Sequence, residues 1–323
     1  MTDRTAGARG DVVSFEHRPV MADEVLEILT AGPAGIYIDG TLGGGGHAGL
    51  LLDARPDWNL LGIDRDEVAI AAATEHLARF GDRVQIVHGG FEAVGVIART
   101  VGINEEEVAA MLLDLGVSSP QLDRPERGFA YRFDAPLDMR MDSKQSLTAD
   151  DVVNGYSEEE LGDLIARYGE ERFARRIARR IVAARPLHTT RELVDVIRAA
   201  IPAATRRTGG HPARRTFQAI RMEVNRELPN LGEGLDESVH LLRPEGRMVV
   251  LAYHSLEDRM VKEHFAEHAG LAPPVYPLPP VTDTRPRLRL VTKRPLRPSD
   301  AEVAANPRAE SVRLRAVEKL PIT

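Results

Sequence analysis

Three acids close short apolar runs in the first third of the chain: Asp39 after "IYI", Asp64 after "LLGI" and Asp114 after "AAMLL". The first is followed by "GTLGGGGHAG", where Gly44, Gly46 and Gly49 fit G-x-G-x-x-G and Asp64 stands 20 positions beyond Gly44. That is nominally a dinucleotide cradle whose acid reaches a ribose hydroxyl. The register argues otherwise. A dinucleotide loop puts its first glycine almost at the strand end, whereas Gly44 lies five residues past Asp39. An acid followed by a longer glycine loop suits a cofactor with a cationic sulfonium, an amino-acid tail and an adenosine, namely S-adenosylmethionine. Glycines let the backbone lie against the tail without Cβ clashes. An acid pairs with the tail's ammonium group, and Asp64 suits both ribose hydroxyls as an acceptor. Phe91, in "HGGFEAV", is a candidate to cover the adenine face. Asp114 is the strand-end acid expected to face the ligand crevice of an open α/β sheet.

The elements that must hold these residues follow from periodicity. Strands are expected at 36–39, 60–63, 84–87 and 109–114, separated by helical patterns such as 67–80. Such alternation builds a parallel sheet covered on both faces. It stops near Arg124, and up to Pro212 the pattern is helical. "YSEEELGDLIARYG" opens with a capping box, Ser157 with Glu160, and spaces Leu161, Leu164, Ile165 and Tyr168 along one face. "ERFARRIARRIVAAR" aligns Phe173, Ile177 and Ile181. "TTRELVDVIRAAIP" carries a second capping box, Thr189 with Glu192, and Pro202 past its end. The α/β pattern resumes with a helix around 214–228, a tight turn and a strand at 247–252. A closing antiparallel pair, 288–293 with 311–319, follows the proline-rich loop "LAPPVYPLPPVTDTRP". The fold class is α/β with an inserted all-helical block.

With 323 residues and 43% apolar side chains the chain can bury a sizeable core. It has no cysteine, which excludes a disulfide framework, thiolate metal ligands and a cysteine nucleophile, and fits a reducing compartment. No apolar run approaches the roughly 20 residues that a membrane helix needs. "MTDRTAGARGDVV" lacks the apolar core of a signal peptide, so a short disordered lead and a cytoplasmic location are expected. No metal site is expected, because the ten histidines show no ligand spacing with carboxylates. The net charge of -7 hides a local excess: residues 165–226 hold fifteen arginines against five acids. Arg285, Arg287, Arg289, Lys293, Arg294 and Arg297 form a second basic stretch. These are solvated helix faces or a phosphate-binding surface on an acidic enzyme.

The resemblance runs from "HRPVMADEVLEIL" through "DGTLGGGGHAG", "GIDRD", "HGGFEAV" and "LLDLGVSSPQLDRPERGFAYRFDAPLDMRMD". It continues in "YGEERFARRIARRI", "HPARRTFQAIRMEVNREL", "LAYHSLEDRMVK" and "TKRPLRPSDAEVAANPRAESVRLRAVEK". Nearly the whole chain resembles the bacterial 16S rRNA (cytosine-N4) methyltransferase family, the RsmH/MraW type, with 112–142 its most specific segment. The resemblance implies a Rossmann-like class I S-adenosylmethionine-dependent methyltransferase sheet in residues 1–123 and 213–323. A helical RNA-recognition insertion, 124–212, would interrupt it. The resemblance also implies cofactor contacts from Gly45, Gly46 and His47 in the loop, Asp64 on the ribose side, Phe91 after the third strand, and Asp114 and Gln121 in "DLGVSSPQLD". The implied substrate is the exocyclic N4 amine of a decoding-region cytosine, cytosine 1402, in 16S rRNA of the small ribosomal subunit. Monomer and homodimer both stay open.

For such a reaction the amine is a poor nucleophile, its lone pair delocalised into the ring. The protein must align nitrogen, methyl carbon and sulfur and stabilise the charge developing on nitrogen. Many amine methyltransferases carry Asn/Asp/Ser-Pro-Pro-aromatic after the fourth strand; this chain has Ser118-Ser119-Pro120 with no following aromatic. Ser118 or Ser119, with backbone carbonyls, is the expected holder of the amine. His254, in "YHSLEDR", is the candidate catalytic group or else a structural hydrogen-bond partner. The base must be flipped or unpaired. Arg172, Arg175, Arg176, Arg179 and Arg180, extended by Arg206, Arg207, Arg214 and Arg215, are the expected phosphate clamp. The rival readings are a nicotinamide-dependent oxidoreductase, a non-catalytic RNA-binding module with a relic cofactor site, and the same chemistry on DNA or free RNA.

Overall fold

Period-two apolar alternation sorts the strand residues onto two buried faces. The computed structural model describes residues 19–117, 124–203, 211–271 and 285–321. Seven strands form one sheet: β1 (Gly35–Asp39), β2 (Trp58–Asp64), β3 (Val84–His88), β4 (Val108–Asp114), β5 (Leu242–Ala252), β6 (Leu288–Leu290) and β7 (Arg313–Lys319). Their order is β3-β2-β1-β4-β5-β7-β6. The first five are parallel, and β7 lies antiparallel between β5 and β6. The helices in chain order are α1 (Ala22–Thr30), α2 (Gly46–Ala54), α3 (Glu67–Leu77), α4 (Val94–Thr100), α5 (Ala149–Gly155), α6 (Glu158–Gly169), α7 (Ala174–Ala184), α8 (Thr190–Ala200), α9 (Arg214–Val224), α10 (Glu227–Leu241), α11 (Ser255–His268) and α12 (Asp300–Ala305).

Tyr37, Leu60, Leu112 and Leu251 pack with α1, α2 and α3 on one face of the sheet. Ile38, Leu61, Leu113 and Val250 pack with α4, α10 and α11 on the other. Burial on both sides is why these strands are nearly continuous apolar runs. A third core is all helical. Ile165, Ile177, Ile181, Ile197, Phe217 and Ile220 meet there, from α6, α7, α8 and α9. Both expected capping boxes form, Ser157 with Glu160 and Thr189 with Glu192. Thr148 with Asp151 adds a third on α5. Between Arg124 and Ala203 no strand forms among the described residues, only the isolated bridge of Pro136 to Thr189.

Two expected elements differ. The helix expected around 214–228 is two helices, α9 and α10, parted by Arg226 at φ 50°. Asn225 makes the break worthwhile. Its side chain is buried, accepts the Met141 N–H at 2.7 Å and donates to the Met139 and Arg221 carbonyls at 2.8 Å, tying the loop after β4 to the helix junction. The strand expected at 247–252 starts earlier, at Leu242. The turn "RPEG" is absorbed into β5 as an irregularity, with Val108 opposite Leu242 and Ala110 opposite Arg247.

Candidate active site

The order of the sheet reverses between β1 and β4, which opens a crevice at the strands' carboxyl ends. The strand-end acids converge there. A cleft of about 1020 Å³ is lined by Asp39, Asp64, Asp114, Gly43, Gly44, Gly46, His47 and Phe91, and by Tyr253 and Glu257 from the far side.

The loop after β1 is held by its neighbour strand. Asp64 accepts the Gly43 N–H at 2.7 Å through Oδ2 and the Asp66 N–H at 2.8 Å through Oδ1. Each carboxylate oxygen keeps a second lone pair for a ligand hydroxyl. Gly45 turns the chain into α2 at φ 80°, and a Cβ there would lie 3.0 Å from Leu77 Cδ1. A Cβ on Gly44 would meet no atom within 4 Å, so its backbone faces the open cleft. Phe91 follows β3, lines the cleft and also packs against α10, where Gly234 leaves room for its ring.

Charge in the cleft is unbalanced. Burial pushes the Asp39 carboxyl up to about 6, against the opposing pull of His47 and the Tyr37 hydroxyl, which donates to Asp39 at 2.9 Å. Burial pushes Asp114 up to about 7, although the Tyr253 hydroxyl donates to its Oδ1 at 2.8 Å. Burial also raises Asp64. His47 sits at the start of α2, with Nε2 on the Val20 carbonyl at 2.9 Å and Nδ1 3.7 Å from Asp114 Oδ2. Burial lowers its pKa, so it offsets the rise at Asp39 only in part. Among the described residues no lysine or arginine forms an ion pair with Asp39, Asp64 or Asp114. Such a cleft favours a cationic ligand and disfavours a pyrophosphate. An ammonium and a sulfonium on one ligand, with a ribose at Asp64, fit these donors and acceptors.

The expected site residues divide accordingly. Gly46, His47, Asp64, Phe91 and Asp114 line the cleft, while Gly45 faces α3. Gln121, Ser118 and Ser119 lie outside the described residues. His254 is not among the lining residues. It caps α11, its Nδ1 accepting the Glu257 N–H at 3.3 Å and its Nε2 3.0 Å from Glu257 Oε1. Burial alone would raise Glu257; the His254 contact and the Arg221 charge outweigh it and lower the carboxyl. Tyr253 and Glu257, which do line the cleft, escaped the sequence reading. The available signal was position: Tyr253 follows the end of β5 as the acids end β1, β2 and β4.

Residues 14–320 match the model of the MraW methylase family. Ribosomal RNA small subunit methyltransferase H of Heliobacterium modesticaldum is 50% identical over 312 residues, 95% of this chain and 99% of that protein. Its counterpart in Symbiobacterium thermophilum is 51% identical over 314 residues, covering 95% and 98%. That of Geobacter sulfurreducens is 51% identical over 313 residues, covering 95% and 100%. A cleft shaped for a cationic adenosine cofactor and a likeness that runs nearly end to end lead to one conclusion: the chain belongs to the MraW methylase family.

Proposed function

We propose that this enzyme methylates the exocyclic N4 amine of a decoding-region cytosine in 16S rRNA of the small ribosomal subunit, cytosine 1402 by family resemblance. Its cofactor is S-adenosyl-L-methionine, which supplies, when bound, a methyl carbon made electrophilic by its sulfonium. One observation carries the reading. Three largely buried acids, none paired with a lysine or arginine among the described residues, surround a glycine loop at the sheet's switch point, in a chain half identical to small-subunit rRNA methyltransferases over 95% of its length.

Asp64 holds the ribose and Phe91 covers the adenine. Gly46 and His47 shape the loop against the amino-acid tail, and Asp39 and Asp114 supply negative charge beside the cationic groups. Gly45 serves by turning the loop into α2 and Gln121 as a further cofactor contact. Ser118 or Ser119 orients the amine, and the proton left on nitrogen after transfer departs to water. His254 is a positioning residue, acting through Glu257, which also accepts the Tyr253 backbone N–H at 2.8 Å.

RNA recognition falls to the helical insertion, set between the two halves of a methyl-transfer domain, 1–123 and 213–323. Its packing reaches past residue 212, because α9 buries Phe217 and Ile220 in the helical core. Arg172, Arg175, Arg176, Arg179 and Arg180 are exposed on and beside α7, in keeping with phosphate contacts. Arg214 and Arg215 are exposed at the start of α9; Arg206 and Arg207 lie outside the described residues. No helix of the described residues is long and apolar enough to cross a membrane.

The test is transfer from labelled S-adenosylmethionine to small subunits and to naked 16S rRNA from cells lacking this activity, with the product nucleoside identified. N4-methylcytidine is the expected product. Label in another nucleoside, or none in either acceptor despite cofactor binding, overturns the substrate assignment.

A further inference from the structure

Away from the cleft, α10 and α11 bring together Asp236 on the first and His264 and His268, one turn apart, on the second. Asp236 Oδ1 lies 3.4 Å from His264 Nδ1 and 4.0 Å from His268 Nε2, and all three residues offer ligand atoms within 4.8 Å of one another. A tetrahedral zinc ion with bonds of about 2.0–2.1 Å holds its ligand atoms about 3.3 Å apart. The 3.4 Å separation already matches that spacing, and the 4.0 Å one exceeds it by less than an ångström. Two histidines four apart on one helix face are also the spacing by which helices hold zinc.

Structural hydrogen bonding accounts for the pair only in part. The Leu235 backbone steadies His264, yet its Nε2 is buried without a partner. The rings lie 4.5 Å apart between centroids, with side chains 11% and 19% exposed, whereas Asp236 is 68% exposed and opens the site to water. Two charges stand nearby, the Arg287 cation and the Glu267 carboxylate, which oppose each other. The other cluster of this kind among the described residues, Glu227, His254 and Glu257, is already occupied by a cation. Arg221 grips Glu227 with two bonds of 2.7 and 2.8 Å.

We propose that Asp236, His264 and His268 bind a divalent transition-metal ion, zinc by their imidazole and carboxylate donors, and that the ion staples α10 to α11. The fourth position belongs to water. The sequence led to the expectation of no metal site, because the carboxylate comes from another helix. Both helices begin at the cleft, where Glu227 and Asn230 of α10 and Glu257 of α11 line the wall. The staple therefore fixes the second half of α10 to the far end of α11, the pair that frames the site.

The experiment titrates zinc into untagged, chelator-stripped full-length protein, read by calorimetry and by unfolding temperature, with circular dichroism on every variant. The expected result is one equivalent bound per chain and a higher unfolding temperature. His264→Ala, His268→Ala and Asp236→Ala should each weaken binding by at least about ten-fold, the lower bound seen when even a supporting residue is lost. Asp236 is exposed, so that variant tests the site without touching the core. His254→Ala should bind zinc as the parent does. The absence of a saturable equivalent overturns the proposal. So does unchanged binding in the three site variants, or loss of binding in His254→Ala instead.

Discussion

Tyr253 and Asp114 stand 139 residues apart in the chain, and the Tyr253 hydroxyl donates to Asp114 Oδ1 at 2.8 Å. The bond joins the ends of two neighbouring strands across the mouth of the cleft. Gly116 makes it possible: it sits at φ 108°, and a Cβ there would lie 3.1 Å from the Tyr253 ring.

Tyr253→Phe removes a hydrogen bond that holds the Asp114 carboxyl down, so Asp114 rises further above about 7. A bond to an ionised group contributes about 1.5–3 kcal/mol, so S-adenosylmethionine affinity should fall by roughly ten-fold or more at pH 7.5. At pH 9 a larger share of the acid is ionised in the variant and the gap should narrow. Calorimetric titration at both pH values checks this; equal affinities at pH 7.5 would remove the bond from the cofactor site.

Asp114→Asn tests the burial of that acid in the cofactor-free protein. Its folded pKa, about 7, lies above the unfolded value of 3.8, so the folded state keeps a proton that the unfolded state has lost. This group's stabilising contribution is complete below pH 3.8 and is lost as pH rises through about 7. The parent should therefore lose stability relative to Asp114→Asn between pH 5 and pH 8. The loss should be on the order of 2 kcal/mol, less than the full shift implies because the side chain is a quarter exposed. Asp39, raised to about 6 by burial and in smaller part by the Asp114 charge, shows the same trend in both proteins, slightly weaker in the variant. Urea unfolding at the two pH values measures it, and parallel curves would contradict it.

Gly44 and Gly45 are adjacent but answer to different constraints. Gly44→Ala adds a methyl group to open cleft, so unfolding temperature should hold while S-adenosylmethionine binding weakens. Gly45→Ala forces an alanine into φ 80° against Leu77, and should cost about 1–2 kcal/mol of stability. The reverse pattern, a destabilised Gly44→Ala with intact binding, would show that the cofactor does not reach the loop.

Arg176 and Arg180 are exposed on α7 and pair with no acid among the described residues, unlike Arg175 with Asp163 and Arg179 with Glu158. The double reversal Arg176→Glu, Arg180→Glu should weaken rRNA binding at low salt. It should also reduce the slope of log affinity against log salt by about 1.4–1.8, because each phosphate left without its arginine takes roughly 0.7–0.9 from the slope. Cofactor affinity should not change. An unaltered slope means that these arginines are solvated.

The sequence alone determined what is encoded within a few residues. Apolar runs ending in Asp39, Asp64 and Asp114 marked their strands to within two residues, because a strand buried on both faces admits little but apolar side chains. Ser157 and Thr189 announced their helices because a capping box closes over four residues. The tertiary structure alone decided which distant side chains meet. Tyr253 reaches Asp114 because β5 pairs with β4, and strand order is set by packing across the whole sheet. Asn225 breaks an otherwise continuous helical pattern because a loop 84 residues away needs its hydrogen bonds. The three acids acquire raised pKa values only when helices on both faces exclude water and no lysine or arginine among the described residues pairs with them. Local patterns select backbone conformation, whereas burial and long-range pairing set the chemistry of the side chains they carry.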